Sequence, residues 1–286
     1  MKYAFIAAHE EQFSVKRMCH ALGVQRSGYY AWKQRPVSAI EQANADLLTK
    51  IREVFEMSRK TYGSLRIQRY FLRQGYSYSR HRVARLMKKD HIVPIRVTKW
   101  HPQTTQQRSG ARIAPNLLNQ DFTAAQPNEK WVGDITYIDT AEGWLYLAAI
   151  LDLYSRCIVG WAMADRLEGR LVEKAWEMAM INRHQPTHLL HHTDRGSQYT
   201  SEVYLKLLDT AHCKLSMSRT GNCFDNAAME SFFATLKGEC AYKQFRTKVE
   251  ARLSIFEYIE VWYNRQRLHS TLGYLSPLEF EQLSVH

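Results

Sequence analysis

Between Trp131 and Lys237 the hydrophobic pattern changes period in an order that few folds accommodate. Trp131-Val-Gly-Asp-Ile-Thr-Tyr-Ile138 alternates and reads as a strand over about 131–139. A turn at Glu142-Gly143, a strand over 144–152, a turn at Ser155-Arg156 and a strand over 157–164 complete a meander. A helix is then expected over 168–183, a strand over 188–193, a helix over 201–210 and a short strand over 214–217. The stretch Asp225 to Lys237 reads as a further helix. A last long helix, about 247–264, is expected to turn Leu253, Phe256, Ile259 and Trp262 toward the core. Three consecutive strands followed by alternating strands and helices imply an α/β fold with one mixed sheet flanked by helices.

Three acids occupy distinct places in that pattern. Asp134 lies inside the first strand, Asp194 closes the apolar stretch Leu189-Leu-His-His-Thr, and Glu230 lies on the Asp225–Lys237 helix. In the ribonuclease-H-like arrangement this order suggests, the first strand is central and the fourth lies beside it. Asp134 and Asp194 then become neighbours at one sheet edge, and the helix bearing Glu230 can cross it. Converging carboxylates are what hard divalent cations require. Such a cluster stays ionised only with cations bound, because like charges raise one another's pKa. Two Mg²⁺ or Mn²⁺ ions could activate a water or a 3′-hydroxyl and stabilise the leaving oxygen, with no covalent protein nucleophile. Lys237 stands two turns beyond Glu230 on the same helical stripe, suited to a DNA end; an ordinary amphipathic surface helix explains the same spacing.

Other chemistries fit less well. His184, His188, His191 and His192 lack paired cysteines or a helical H-x-x-x-H, which argues against zinc. Ser197 near His191 or His192 lacks a G-x-S-x-G elbow. Asp139, Glu142 and Asp152 border turns or strand ends, and Asp225-Asn226 suit the N-cap of the Glu230 helix.

Charge divides the chain. Residues 1–120 hold 22 Lys/Arg against 7 Asp/Glu, and residues 121–286 hold 17 against 21. A basic front half on a slightly acidic back half is a polyanion-binding arrangement, with a solvated basic surface as the plainer explanation. Within residues 1–40, Phe13 to Trp32 reads as two short helices around Gly23, with Ser14 as N-cap and Gln25, Arg26 and Ser27 leading the second. This is helix-turn-helix spacing, for which a plain helical hairpin is the competitor. Residues 43–93 read as a basic three-helix module, broken at Tyr62-Gly63-Ser64 and Gly75, with Ser79 as a cap. Its Arg66, Arg69, Arg73, Arg82, Arg85 and Lys88 are candidate phosphate contacts. Residues 94–126 shift to Pro, Gln, Thr, Asn and Ser and read as a linker able to lie along DNA through Arg96, Lys99, Arg108 and Arg112. The catalytic part is expected over 127–286.

The longest apolar run, Trp144 to Leu151, stops at Asp152, far short of a membrane span, and Tyr3 to Ala8 meets His9-Glu10-Glu11 too soon for a secretory segment. The five cysteines, Cys19, Cys157, Cys213, Cys223 and Cys240, are odd in number and widely spaced, as expected of reduced packing thiols in a cytosol. A soluble cytoplasmic, nucleoid-associated chain with no membrane partner is the expectation.

Asp-Ile-Thr-Tyr-Ile (134–138), Leu153-Tyr-Ser-Arg-Cys-Ile-Val-Gly-Trp161, His192-Thr-Asp-Arg-Gly-Ser-Gln-Tyr199 and Gly221-Asn-Cys-Phe-Asp-Asn-Ala-Ala-Met-Glu-Ser-Phe-Phe233 resemble bacterial insertion-sequence transposases. The closer resemblance is to their second-reading-frame (OrfB) proteins, whose catalytic domain is similar to retroviral integrase. The tail Tyr263-Asn-Arg-Gln-Arg-Leu-His-Ser-Thr-Leu-Gly-Tyr-Leu-Ser-Pro277 resembles the same family and adds Arg265 and Arg267 to the candidate DNA contacts. The resemblance implies a DDE recombinase using Mg²⁺ at Asp134, Asp194 and Glu230, with Lys237 in the family's basic position. The 35 residues between Asp194 and Glu230 match the family's pattern. It further implies cleavage at terminal inverted repeats of double-stranded DNA, joining of a 3′-hydroxyl to target DNA, a homo-oligomer on DNA, and a first-reading-frame partner or fusion.

Overall fold

The computed structural model describes residues 1–95, 113–219, 223–241 and 244–284. By internal contact the chain forms two compact units, Met1–Glu53 and Val54–His286. The first unit contains α1 (Lys2–Ala8), α2 (Val15–Ala21) and α3 (Arg26–Gln34). Ile6, Met18, Cys19 and Tyr29 form its buried centre. Gly23 stops α2 as expected: its φ of +63° suits a residue without Cβ. The Val24 N–H reaches back to the Cys19 carbonyl at 2.9 Å, and the Gly23 N–H to His20 at 3.2 Å. Gln25, Arg26 and Ser27 at the start of α3 are exposed. Ser14 precedes α2 but makes no side-chain cap bond.

Three more helices follow, α4 (Ala39–Met57), α5 (Ser64–Arg73) and α6 (Arg80–Lys89). Leu47, Ile51, Val54 and Phe55 recur at helical spacing and are buried on α4. Ile67 and Phe71 are buried on α5, and Val83, Leu86 and Met87 on α6. Ser79 caps α6 by accepting the Arg82 N–H at 3.2 Å. The division between the compact units falls inside the 43–93 module, and α5 and α6 belong to the same unit as the sheet.

That sheet has five strands in the order β3-β2-β1-β4-β5: β1 (Lys130–Ile138), β2 (Leu145–Asp152), β3 (Ile158–Ala164), β4 (Leu190–Thr193) and β5 (Lys214–Met217). β1, β2 and β3 pair antiparallel, while β1–β4 and β4–β5 are parallel, the mixed ribonuclease-H-like arrangement that the pattern implied. α7 (Gly169–Asn182) and α8 (Glu202–Thr210) cover one face. Trp131, Ile150 and Val159 pack there with Trp176, Ala179 and Tyr204. The Trp131 and Trp176 rings meet edge to face, 5.7 Å apart, worth about 1 kcal/mol beyond their burial. β3 can lie this close to α7 because residue 160 is glycine; a Cβ there would stand 2.2 Å from the Ala175 carbonyl oxygen. Successive β1 side chains alternate, so residues 132, 134, 136 and 138 project from the opposite face. There α9 (Ala227–Glu239) lies along β1.

α10 (Lys248–Phe256) runs on into a π-helical stretch, Glu257–Tyr263, and the chain closes with α11 (Pro277–Ser284). These elements protect the edge strand β3. The Asn264 side chain accepts from the Ile158 N–H and donates to its carbonyl, both at 2.9 Å, as a neighbouring strand would. The expected inward face of this helix needs correction. Leu253 and Phe256 are exposed, and Ala251, Ile255, Tyr258, Ile259, Trp262 and Tyr263 are buried. A strict spacing of three sweeps around a helix of 3.6 residues per turn, so 253, 256, 259 and 262 cannot share one face.

Of the expected linker, residues 96–112, and with them Arg96, Lys99, Arg108 and Arg112, lie outside the described residues. Its later part is anchored to the sheet edge: Ser216 Oγ accepts the N–H groups of Leu117 and Leu118 at 2.8 and 3.1 Å, and Leu118 is buried. No described helix is long and apolar enough to cross a membrane.

Candidate active site

The parallel pairing of β1 with β4 decides which acids meet. Val132 stands opposite His192, so two residues further along Asp134 and Asp194 come side by side at the end of β4. The Asp134 side chain is half-buried and accepts the Ile135 N–H at 2.7 Å. Asp194 accepts the Gly196 N–H at 2.9 Å, a turn that fixes its carboxylate just past the strand. Glu230 occupies the first turn of α9, exposed to solvent, where the helix dipole favours an anion. Lys237, two turns on, is half-buried with its Nζ 4.9 Å from the centre of the Tyr137 ring.

Burial first, then the charges of Asp194 and Glu230, hold the Asp134 carboxyl well above the usual carboxylate range; the Ile135 hydrogen bond and the Lys237 ammonium oppose this. Burial lowers the Lys237 ammonium to about 8, while Asp134 pulls it upward. The buried Tyr199 hydroxyl is likewise pushed far up by desolvation and by Asp134 and Asp194. The acids therefore share one electrostatic neighbourhood. Among the described residues, however, no three His, Cys, Asp or Glu side chains are gathered closely enough to hold a metal ion. Glu230 sits on the exposed side of α9.

Several nearby residues were legible only as something else. Asp225 is buried and is not the helix cap; it accepts from Asn116 at 2.9 Å, Gln120 at 3.1 Å and the Arg219 N–H at 2.9 Å. Burial pushes its carboxyl up, but the Arg219 and Gln120 hydrogen bonds prevail and hold it at about 2. Asn226 occupies the cap position without a side-chain cap bond and donates to the Gly133 carbonyl at 3.3 Å. His191 and His192 are core groups, bonded to Tyr204 at 2.8 Å and to Ser216 and Ser218 at 2.8 and 3.0 Å. His184 and His188 are exposed.

Three family models match the chain: an integrase core domain over residues 124–223, an HTH-like domain over 41–100, and a second integrase core model over 211–277. Transposase InsF for insertion sequence IS3A of Escherichia coli K12 is 41% identical over the full length of both chains. The chain belongs to the IS3 transposase family. An insertion element IS600 31 kDa protein of Shigella sonnei is 44% identical, covering 93% of this chain and 97% of that one. Among solved structures, the HTLV-2 integrase catalytic core domain in complex with magnesium overlaps with a TM-score of 0.42 at 13% identity, over 56% of this chain and 99% of that one.

In this IS3-family transposase the basic residues divide by location. Arg85 and Lys88 on α6 and Arg265 beyond the π-helical stretch are exposed. Arg82 is half-buried, 5.9 Å from the Tyr78 ring centre. The α5 arginines also meet the C-terminal segment. Arg69 lies 5.2 Å from the Tyr274 ring, and Arg73 donates to Glu279 at 2.6 Å and to the Tyr274 carbonyl at 3.3 Å. Arg66 is half-buried within the field of Arg267 and Glu239, and burial lowers its pKa. Arg267 leaves the DNA-facing set outright. It is 5% exposed, and its guanidinium grips Glu239 at 2.7 and 2.9 Å. Charge counts toward DNA only where solvent reaches it: Arg267 is sealed against Glu239, whereas Arg69 and Arg73 stay exposed beside the C-terminal segment.

Proposed function

We propose that this IS3-family transposase is a DDE polynucleotidyl transferase whose metal ligands are Asp134, Asp194 and Glu230. One observation carries the reading: the parallel register of β1 on β4 brings Asp134 and Asp194 side by side, where burial and the charges of Asp194 and Glu230 hold the Asp134 carboxyl up, a repulsion that a divalent cation relieves. The donor set is all carboxylate oxygen, which suits Mg²⁺, with Mn²⁺ as a substitute. Two such ions, when bound, activate a water or a 3′-hydroxyl and stabilise the leaving oxygen. The chain's own groups prepare for this. The Ile135 and Gly196 N–H groups orient Asp134 and Asp194. Lys237 brings positive charge toward the scissile strand from the same helix as Glu230.

The substrates are the element's terminal inverted repeats and a target duplex, engaged by a homo-oligomer in the nucleoid, alone or joined to a first-reading-frame partner. Residues 1–40 and 43–93 serve DNA binding, and 127–286 catalysis. Lys237, Arg66, Arg69, Arg73, Arg82, Arg85, Lys88 and Arg265 are the DNA contacts. The test is strand transfer with labelled element ends carrying a free 3′-hydroxyl in Mg²⁺. Asp194→Asn should lose joining while binding duplex within a few-fold of the parent chain; joining by that variant at the parental rate would refute the assignment.

A further inference from the structure

A pocket flanks α9 between that helix, the β2–β3 turn and the segment after the π-helical stretch. It encloses about 110 Å³; Arg156, Ser231, Thr235, His269 and Thr271 supply its polar groups, and Ala228, Phe232 and the Tyr263 ring the rest of its wall. Ser231 follows Glu230 in the chain, about 100° around the helix, so pocket and third acid share one rigid element. Ser231 and Thr271 are exposed and form its rim.

Of its polar groups, the Thr235 hydroxyl is spent on the Ser231 carbonyl at 2.8 Å, which leaves Arg156 and His269 as the principal donors. Arg156 sits in the β2–β3 turn, half-buried, and gives one Nη2 bond to the Phe122 carbonyl at 3.0 Å. Among the described residues it makes no ion pair, and a guanidinium carries five N–H donors. The nearby carboxylates are committed elsewhere: Asp152 accepts the N–H groups of Asn128 at 2.8 Å and Tyr154 at 2.9 Å, and Glu239 is taken by Arg267 and Tyr258. His269 pairs through Nδ1 with the Thr271 hydroxyl at 2.8 Å. When Thr271 donates in that bond, the Nε2–H of the imidazole is left as a donor. Three guanidinium groups, Arg267, Arg156 and Arg66, act on His269 against the single carboxylate of Glu239, and with burial they hold it at about 4. A confined space with a partly desolvated guanidinium, hydroxyls and an imidazole, in a positive field, selects a small oxyanion.

We propose that this pocket holds one backbone phosphate of the DNA strand whose end is processed, fixing that strand's position relative to α9. The proposal rests on the strand-transfer reading above. It predicts that one particular phosphodiester matters to Arg156 and no other does. End duplexes carrying a single uncharged methylphosphonate, moved linkage by linkage, are titrated against the parent chain and against Arg156→Gln. One linkage should weaken parental binding about tenfold when neutralised and weaken Arg156→Gln binding less than twofold. For unmodified duplex, the salt slope of Arg156→Gln should be shallower by about one. Arg156→Lys should retain part of the effect. If Arg156→Gln fails to fold by thermal melting, Ser231→Ala at the exposed rim carries the same comparison. Equal effects of every linkage in parent and variant, with parental binding and joining intact, overturn the pocket alone. A parent chain that neither binds nor joins element ends overturns both the pocket and the strand-transfer reading.

Discussion

Replacing Arg267 with methionine removes both donors that hold Glu239, a carboxylate whose side chain is 4% exposed at the end of α9. One acceptor bond survives, from the Tyr258 hydroxyl at 3.0 Å. Removing one partner of a buried pair costs about 3–5 kcal/mol, because the remaining charge is left without compensation. Arg66 lies near enough to lower the Glu239 pKa as well and supplies part of the lost field, which places the cost near the lower end, about 3 kcal/mol. That is roughly two orders of magnitude in the folding constant. Burial raises the Glu239 carboxyl, but the Arg267 bonds and charge outweigh it and the net pKa is depressed. The pair's contribution is therefore present above the unfolded value near 4.3 and is lost as pH falls through the folded value below it. Urea unfolding at pH 7 should show a large drop in midpoint for Arg267→Met, and a much smaller one for Glu239→Gln combined with Arg267→Met. The gap between parent and single variant should close in acid. A single variant that unfolds with the parent while binding DNA more weakly, with a shallower salt slope, would show that Arg267 serves DNA and that its burial has been misread.

Asp134→Asn should raise the melting temperature in metal-free buffer at pH 7, since the folded pKa of Asp134 lies above its unfolded value and ionisation costs stability. The gain should fade as pH falls toward about 4, where the unfolded carboxyl protonates. Mn²⁺ should stabilise the parent chain and not this variant; equal stabilisation of both would remove Asp134 from the ligand set. Neutralising Arg85 and Lys88 together should weaken duplex binding and reduce its salt slope by about two, measured by titration across a salt series, and an unchanged slope would take α6 off the DNA. Gly160→Ala should destabilise by about 1–3 kcal/mol in urea unfolding, because the new methyl meets the backbone of α7 at Ala175 and Ala179. A neutral result would mean that α7 shifts freely on β3.

Much of this architecture could be read from local pattern. Alternation in β1, the turns that follow and the apolar run before Asp194 place each strand within two residues of where the period predicts. Gly23 and Ser79 mark helix ends through chemistry that acts over three to five residues, and such signals survive in any tertiary setting. The meeting of Asp134 with Asp194 follows from strand order alone. The unreadable features are long-range. Arg66, Arg69 and Arg73 recur at helical spacing, which says that they share a stripe and not what covers it; Tyr274 and Glu279, some two hundred residues away, do. Arg267 is indistinguishable from Arg265 in the tail, though one is buried and the other exposed. Asp225 looked like a cap because caps are the commonest use of Asp before a helix. Its partners Asn116 and Gln120 are remote in sequence.

The grip of the tail on α5 also sets an order of events during synthesis. The Leu268 N–H bonds to the Tyr62 hydroxyl oxygen at 2.7 Å, and Arg73 reaches Glu279. These contacts of Tyr62 and Arg73 thus form only once residues 268–279 have emerged from the ribosome, well after all three acids. A chain ended near Leu268 would carry all three acids without the clasp on Tyr62 and α5.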